Sequence, residues 1–213
     1  MKILQSILIC LILVSTTSCA WIGRDYYYDG YGDGEQSPEG WVKRFEEGIA
    51  GGKRAPVPDT MTYTYENDSL ELNVNVGYQE MTVFGPVIIP VIPLLWEYPD
   101  NLSVGIEIVS NALAVFDFTS WKLRLSGTGV SYSPVAILMT EGLVLQDYND
   151  KIPADLKIEG RRFVRLLYPV KFSEAESIEL SFGDIYIDDQ KVTPEKIQLK
   201  KIKGNWHYIQ FTL

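Results

Sequence analysis

The chain of 213 residues has one histidine, His207, and two cysteines, Cys10 and Cys19, both within its first twenty positions. A Ser-His-Asp or Cys-His centre would have to be built around that single imidazole. A zinc site would lack its usual nitrogen and sulfur ligands. No metal and no cofactor is therefore expected. Phosphate-binding signatures are missing as well, because Gly127-Thr128-Gly129 is not followed by a helical pattern and so matches no phosphate cradle or dinucleotide fingerprint. With 28 acidic against 19 basic residues the net charge is -9, and an isoelectric point near 4.7 argues against nucleic acid as a partner.

What is present begins with a leader. Lys2 gives a positive start, residues 3–14 form an uncharged run broken only by Gln5, Ser6 and Cys10, and small residues Ser15, Thr16, Thr17 and Ser18 precede Cys19. That order is the one of an export signal. A membrane-spanning helix needs about 20 apolar residues, more than this run supplies, so residues 1–18 are expected to be a cleaved signal peptide.

Thr16-Thr17-Ser18-Cys19 resembles the lipobox of bacterial lipoproteins, although Thr16 stands where that family usually has Leu. The resemblance implies that Cys19 is acylated and becomes the first residue of the mature chain. It also implies, because Ala20 and not Asp follows the cysteine, sorting to the outer membrane with the chain facing the periplasm. Cys10 would leave with the leader, so the mature chain would carry no disulfide in an oxidising compartment.

The mature chain keeps 18 basic and 28 acidic residues, and residues 21–100 hold 14 of the acids and 5 of the bases. The acidity is thus concentrated near the anchor. Residues 19–36 are rich in Tyr, Gly and Asp and poor in aliphatics, the composition of a flexible acidic linker. Asp29, Asp33 and Gly34 fit part of a calcium loop, but Tyr31 takes a ligand position and Gly40 stands where the bidentate Glu should be. Residues 37–59 are expected to form a short helix and a connecting loop, with Ser37 as cap, Pro38 in the first turn, and Trp41, Phe45 and Ile49 on one face.

From Thr60 onward the period is two. Leu70, Leu72, Val74 and Val76 alternate with polar residues, and the pattern recurs at Leu102, Val104, Ile106 and Ile108, at Trp121, Leu123 and Leu125, and at Ile178, Leu180 and Phe182. Residues 60–213 are therefore expected to form an antiparallel β-sandwich. Stretches such as Phe116-Asp117-Phe118, Trp121-Lys122-Leu123 and Ile185-Tyr186-Ile187 look like parts of immunoglobulin-like envelope domains, which implies a fold class and no function. The pattern also predicts a 62–65/70–78 hairpin, a phase slip near Thr119-Ser120, a break or edge at Pro169, and a hairpin around Asp188-Asp189.

The most unusual segment is residues 81–96, sixteen in a row without a charge and interrupted by Pro86, Pro90 and Pro93. The prolines exclude a regular helix and a central strand. Val87, Ile89, Val91, Ile92, Leu94 and Trp96 are either core or an exposed patch of the sort that meets a partner or a membrane. His207, with the parity of Ile209 and Phe211, reads as structural. The acids Asp184, Asp188 and Asp189 could form a carboxylate pair, but lie where a turn needs Asp. Lys191, Lys196, Lys200, Lys201 and Lys203 make the C-terminal stretch basic, suited to an acidic partner, anionic headgroups or simply water.

These features together describe a lipoprotein held to the membrane at Cys19, non-catalytic, acting in binding or assembly with an envelope protein partner. The alternatives are a carrier of an apolar ligand or lipid, and a carboxylate-dependent hydrolase of cell-wall polysaccharide.

Overall fold

A computed structural model describes residues 18–30, 38, 40–47, 60–84, 90–93, 100–141, 144–148, 152–153 and 155–212. In chain order the strands are β1 (Ser18–Asp29), β2 (Trp41–Glu46), β3 (Thr60–Glu66), β4 (Leu70–Phe84), β5 (Pro90–Pro93), β6 (Leu102–Phe116), β7 (Lys122–Leu125) and β8 (Ser131–Tyr132). There follow β9 (Ala136–Glu141), β10 (Val144–Tyr148), β11 (Leu156–Tyr168), β12 (Ser177–Ser181), β13 (Ile185–Ile187), β14 (Gln190–Val192) and β15 (Ile197–Thr212). They pair antiparallel along the path β10-β9-β11-β6-β4-β1-β15-β12-β7-β8, and the sheet curls into a half-barrel whose two ends do not meet. The all-β, antiparallel expectation holds, while a closed sandwich is not what the strands build.

The alternation read from the sequence sets the register. Val76, Val104, Leu166 and Ile137 form one row across β4, β6, β11 and β9, and Val74, Ile106, Val164 and Met139 form the next. All eight side chains are buried, and each cross-strand pair contributes roughly 0.2–1 kcal/mol. Tyr63, Phe116, Phe118, Trp121, Ile178 and Leu180 belong to the same core. β4 links the two parts of the curl: residues 70–76 pair with β6, whereas from Gly77 onward the strand pairs with β1.

Two expectations before Thr60 are corrected. Residues 41–46 are strand β2, paired with β3, and not a helix. Trp41 and Phe45 share a face at spacing four in a strand as well as in a helix, and the choice falls to the partner: Trp41 is buried, its Nε1 donates to the Glu195 carbonyl at 2.9 Å, and the rest of β2 is exposed. The linker is corrected too, since its first part is strand β1, seated between β4 and β15. Tyrosine bodies supply the burial that aliphatics would otherwise give. Tyr28 is fully buried, and Tyr26 and Tyr78 pack on Phe172 with ring centroids 5.6 and 4.8 Å away. Residues 31–37 lie outside those described, as does the cap Ser37.

The finer expectations after Thr60 hold. Asn67 closes the β3–β4 hairpin by accepting from the amides of Ser69 and Leu70. The phase slip is a 3-10 turn, Phe118–Ser120, capped by Asp117. β11 stops at Tyr168, directly before Pro169, and β13 and β14 form the hairpin around Asp188 and Asp189.

Candidate functional site

Cys19 is a strand residue. It pairs with Phe211 on β15, and the next residue, Ala20, pairs with Gln210 on one side and Phe84 of β4 on the other. β4 in turn pairs with β5, Val83 opposite Ile92 and Phe84 opposite Pro90. Four strand ends therefore meet around the cysteine: the start of β1, the end of β4, all of β5 and the end of β15. Among the described residues, cleavage before Cys19 would remove one register pair, Ser18 with Thr212.

Of the apolar candidates, Val91 and Ile92 lie on β5 and are brought to this end of the sheet. β5 pairs with β4 alone among the described strands, the edge position that its prolines require. Val87, Ile89, Leu94 and Trp96 lie outside the described residues. A scan against protein-family models finds no match, and neither curated proteins nor solved structures yield one. The site is thus defined by geometry alone. Sequence reading singled out Cys19 and the 81–96 segment separately and did not join them, nor did it include Trp21, which the register places between Val83 and Ile209. The available signal was the pair of uncharged stretches at residues 18–23 and 205–213.

Of the carboxylate candidates, Asp184 is tied into the fold. Asp184 is bridged to Lys191 at 2.7 Å and accepts from the Thr193 hydroxyl at 2.8 Å. Those hydrogen bonds, Lys191 first, hold its carboxyl below the usual range, so it is ionised at neutral pH and unsuited to donate a proton. Asp188 and Asp189 occupy the exposed turn of the hairpin. Among the described residues no group of three or more His, Cys, Asp or Glu is placed to hold a metal ion. His207 pairs with Gly23 near the Cys19 end.

An open depression of about 680 Å³ lies beside the β3–β4 turn, lined among others by Trp41, Glu66, Asp68 and Glu71. Its lining mixes these acids with the apolar Val42, Leu70 and Val109. On the sheet surface nearby, Asn73 accepts from Thr64 at 2.6 Å and donates to Glu71 and Glu107, and Glu107 receives Arg161. That is a closed polar row, its donors and acceptors matched within the fold. The C-terminal lysines are likewise drawn in: Lys196 pairs with Glu179, and Lys201 pairs with Glu176 while its ammonium donates to the Phe172 carbonyl and sits 4.5 Å from that ring's centroid.

Proposed function

We propose that this chain is an outer-membrane lipoprotein, acylated at Cys19 and facing the periplasm, that serves envelope binding or assembly without chemistry of its own. The observation that carries the reading is the leader followed by Thr16-Thr17-Ser18-Cys19, with the cysteine paired in the first described strand. A chain cut before Cys19 is left with an almost complete β1, and its acyl chains leave the fold at a strand end. Several buried chains, at about 0.8 kcal/mol per methylene, make such an anchor effectively permanent. The Asp184 carboxylate, tied to Lys191 and Thr193, favours this role over the hydrolase. We read the curled sheet as an opened version of the immunoglobulin-like sandwich, with β4 as the strand passing between its layers.

Metabolic labelling with a radioactive fatty acid tests the anchor. The wild-type chain should take up label and fractionate with membranes, and Cys19→Ser should lose both properties. An unlabelled wild-type chain would remove the lipoprotein reading. Crosslinking in intact envelopes tests the assembly role: a specific partner should be recovered with the wild-type chain and depleted with Cys19→Ser.

A further inference from the structure

We infer that the strand ends around Cys19 form a lipid-facing surface, so that the sheet rests directly on the leaflet holding its anchor. The inference rests on the lipoprotein reading and extends it from a tether to a docked orientation.

The first step is the absence of a spacer. Cys19 would be the first residue of the mature chain and is already paired within the sheet. Acyl chains seated in the leaflet therefore bring β1, and with it the ends of β4, β5 and β15, to the headgroup layer.

The second step is the face. Tyr26 and Tyr78 are paired, and both pack on Phe172 in the core. Strand alternation along β1 puts Arg24 and Ile22 in phase with Tyr26, and Trp21 and Cys19 in the opposite phase. The β1–β4 register is continuous over this stretch, so it adds Val83 to Trp21, and the neighbouring strands add Ile92 and Ile209. Trp21, Val83, Ile92 and Ile209 thus stand in one register row across four strands, out of phase with Tyr26 and Tyr78. Phe211 joins them beside Cys19.

The third step is the chemistry of the occupant. Residues 18–23, 81–84, 90–93 and 206–212 contain no Asp, Glu, Lys or Arg, in a chain with 47 such residues. An acidic or basic protein partner would find no complementary charge there. Trp21 lies two positions beyond Cys19, about 7 Å along a strand, which lies within the roughly 5–10 Å depth that interfacial apolar groups reach. Tryptophan is the residue that such a layer favours.

The test uses the chain from residue 19 with Cys19→Ser, sedimented with neutral phosphatidylcholine vesicles. It should bind without the anchor and bind equally at high salt. Val83→Asp with Ile92→Asp should lower the partition coefficient about tenfold or more, each tenfold being one step of about 1.4 kcal/mol, with an unchanged thermal transition. Because those substitutions could also disturb folding, the unsubstituted Cys19→Ser chain is titrated with vesicles of brominated phosphatidylcholine as well. Its tryptophan emission should be quenched, and Trp21→Phe should reduce the quenching. A Cys19→Ser chain that stays in the supernatant and is not quenched overturns the inference, even where wild-type labelling upholds the anchor. A vesicle-free dimer broken by Val83→Asp would overturn it in favour of a second copy on this face. Vesicle binding by a chain that is never acylated would uphold the face and remove the anchor.

Discussion

The Tyr28 hydroxyl donates a 2.5 Å hydrogen bond to the Ala175 carbonyl, joining the first strand to a loop 147 residues further along the chain. Beside it, Tyr63 donates to the Tyr28 carbonyl at 3.3 Å and accepts from the Gly30 amide. Two tyrosines thus lock β1 into the middle of the sheet. Tyr28→Phe keeps the ring on Phe172, 6.1 Å between centroids, and leaves the buried Ala175 carbonyl without its donor. The expected cost is about 1–3 kcal/mol, read as a lower urea midpoint at unchanged slope. A neutral substitution would show that β1 is held by backbone pairing alone.

The same phenol makes stability fall in alkali. Burial, with a smaller contribution from Glu176, pushes the Tyr28 pKa above its ordinary value of 10.0, and burial does the same to Tyr168. A raised phenol favours the folded state by nothing at neutral pH, since both states then carry the proton. Once pH rises above the unfolded value of about 10, the unfolded chain releases protons that the folded chain retains. Stability is therefore full below that pH and declines above it. Urea midpoints should drop on going from about pH 9 to pH 11, and Tyr28→Phe and Tyr168→Phe should each make the drop shallower. Parallel declines in wild type and both variants would assign the effect to other groups.

The strands after Thr60 were legible because each carries its own period-two pattern: Leu70 to Val76 and Leu102 to Ile108 bury every second residue as read. β1 was not, because the described side chains it packs on the core include the half-buried Tyr26 and the buried Tyr28 among Asp and Gly, a composition shared with linkers. What decides between the two is Ala175 and Phe172, both far along the chain. β2 failed for a related reason, its Trp41 and Phe45 spacing fitting either period until Tyr65 and Glu195 settle it. The candidate site was half visible: the cysteine proposed for lipid attachment and the proline-broken apolar run each stood out. Their meeting depends on the pairing of Ala20 with Phe84 and of Phe84 with Pro90, and the register of Ala20 with a residue 64 positions further on is not written in either strand.

Gly30 and Gly105 separate a rigid contact from a soft one. A Cβ on Gly30 would overlap the backbone carbonyl oxygen of Gln198, with Leu199 Cδ2 at 2.9 Å and the Tyr63 hydroxyl at 3.3 Å. Backbone and buried neighbours cannot move aside cheaply, so Gly30→Ala should cost about 1–3 kcal/mol by overpacking. On Gly105 the nearest atom is Asn75 Oδ1 at 2.6 Å, the far end of a side chain that can rotate. Gly105→Ala should cost less than Gly30→Ala, and it gains about 0.4–1 kcal/mol by restricting the unfolded chain. Chemical denaturation of both variants checks the order. The reverse order would mean that the end of β1 shifts freely against β15.

The β13–β14 hairpin has a strained turn that can be relieved. Ile187 pairs with Gln190, leaving a two-residue loop in which Asp188 and Asp189 have φ of 47° and 64°. Positive φ at both central positions defines a type I′ turn, whose preferred sequence is Asn-Gly. Asp tolerates that region less readily than glycine, and two adjacent carboxylates add repulsion in a chain of net charge -9. Asp188→Asn with Asp189→Gly should therefore stabilise the fold by about 0.5–2 kcal/mol, seen as a higher urea midpoint at unchanged slope. The Asp184–Lys191 bridge lies at the other end of the hairpin and should survive, leaving the acid sensitivity of that pair unchanged. Destabilisation by the double substitution would show instead that the Asp side chains hold the turn, and that the hairpin's register depends on them.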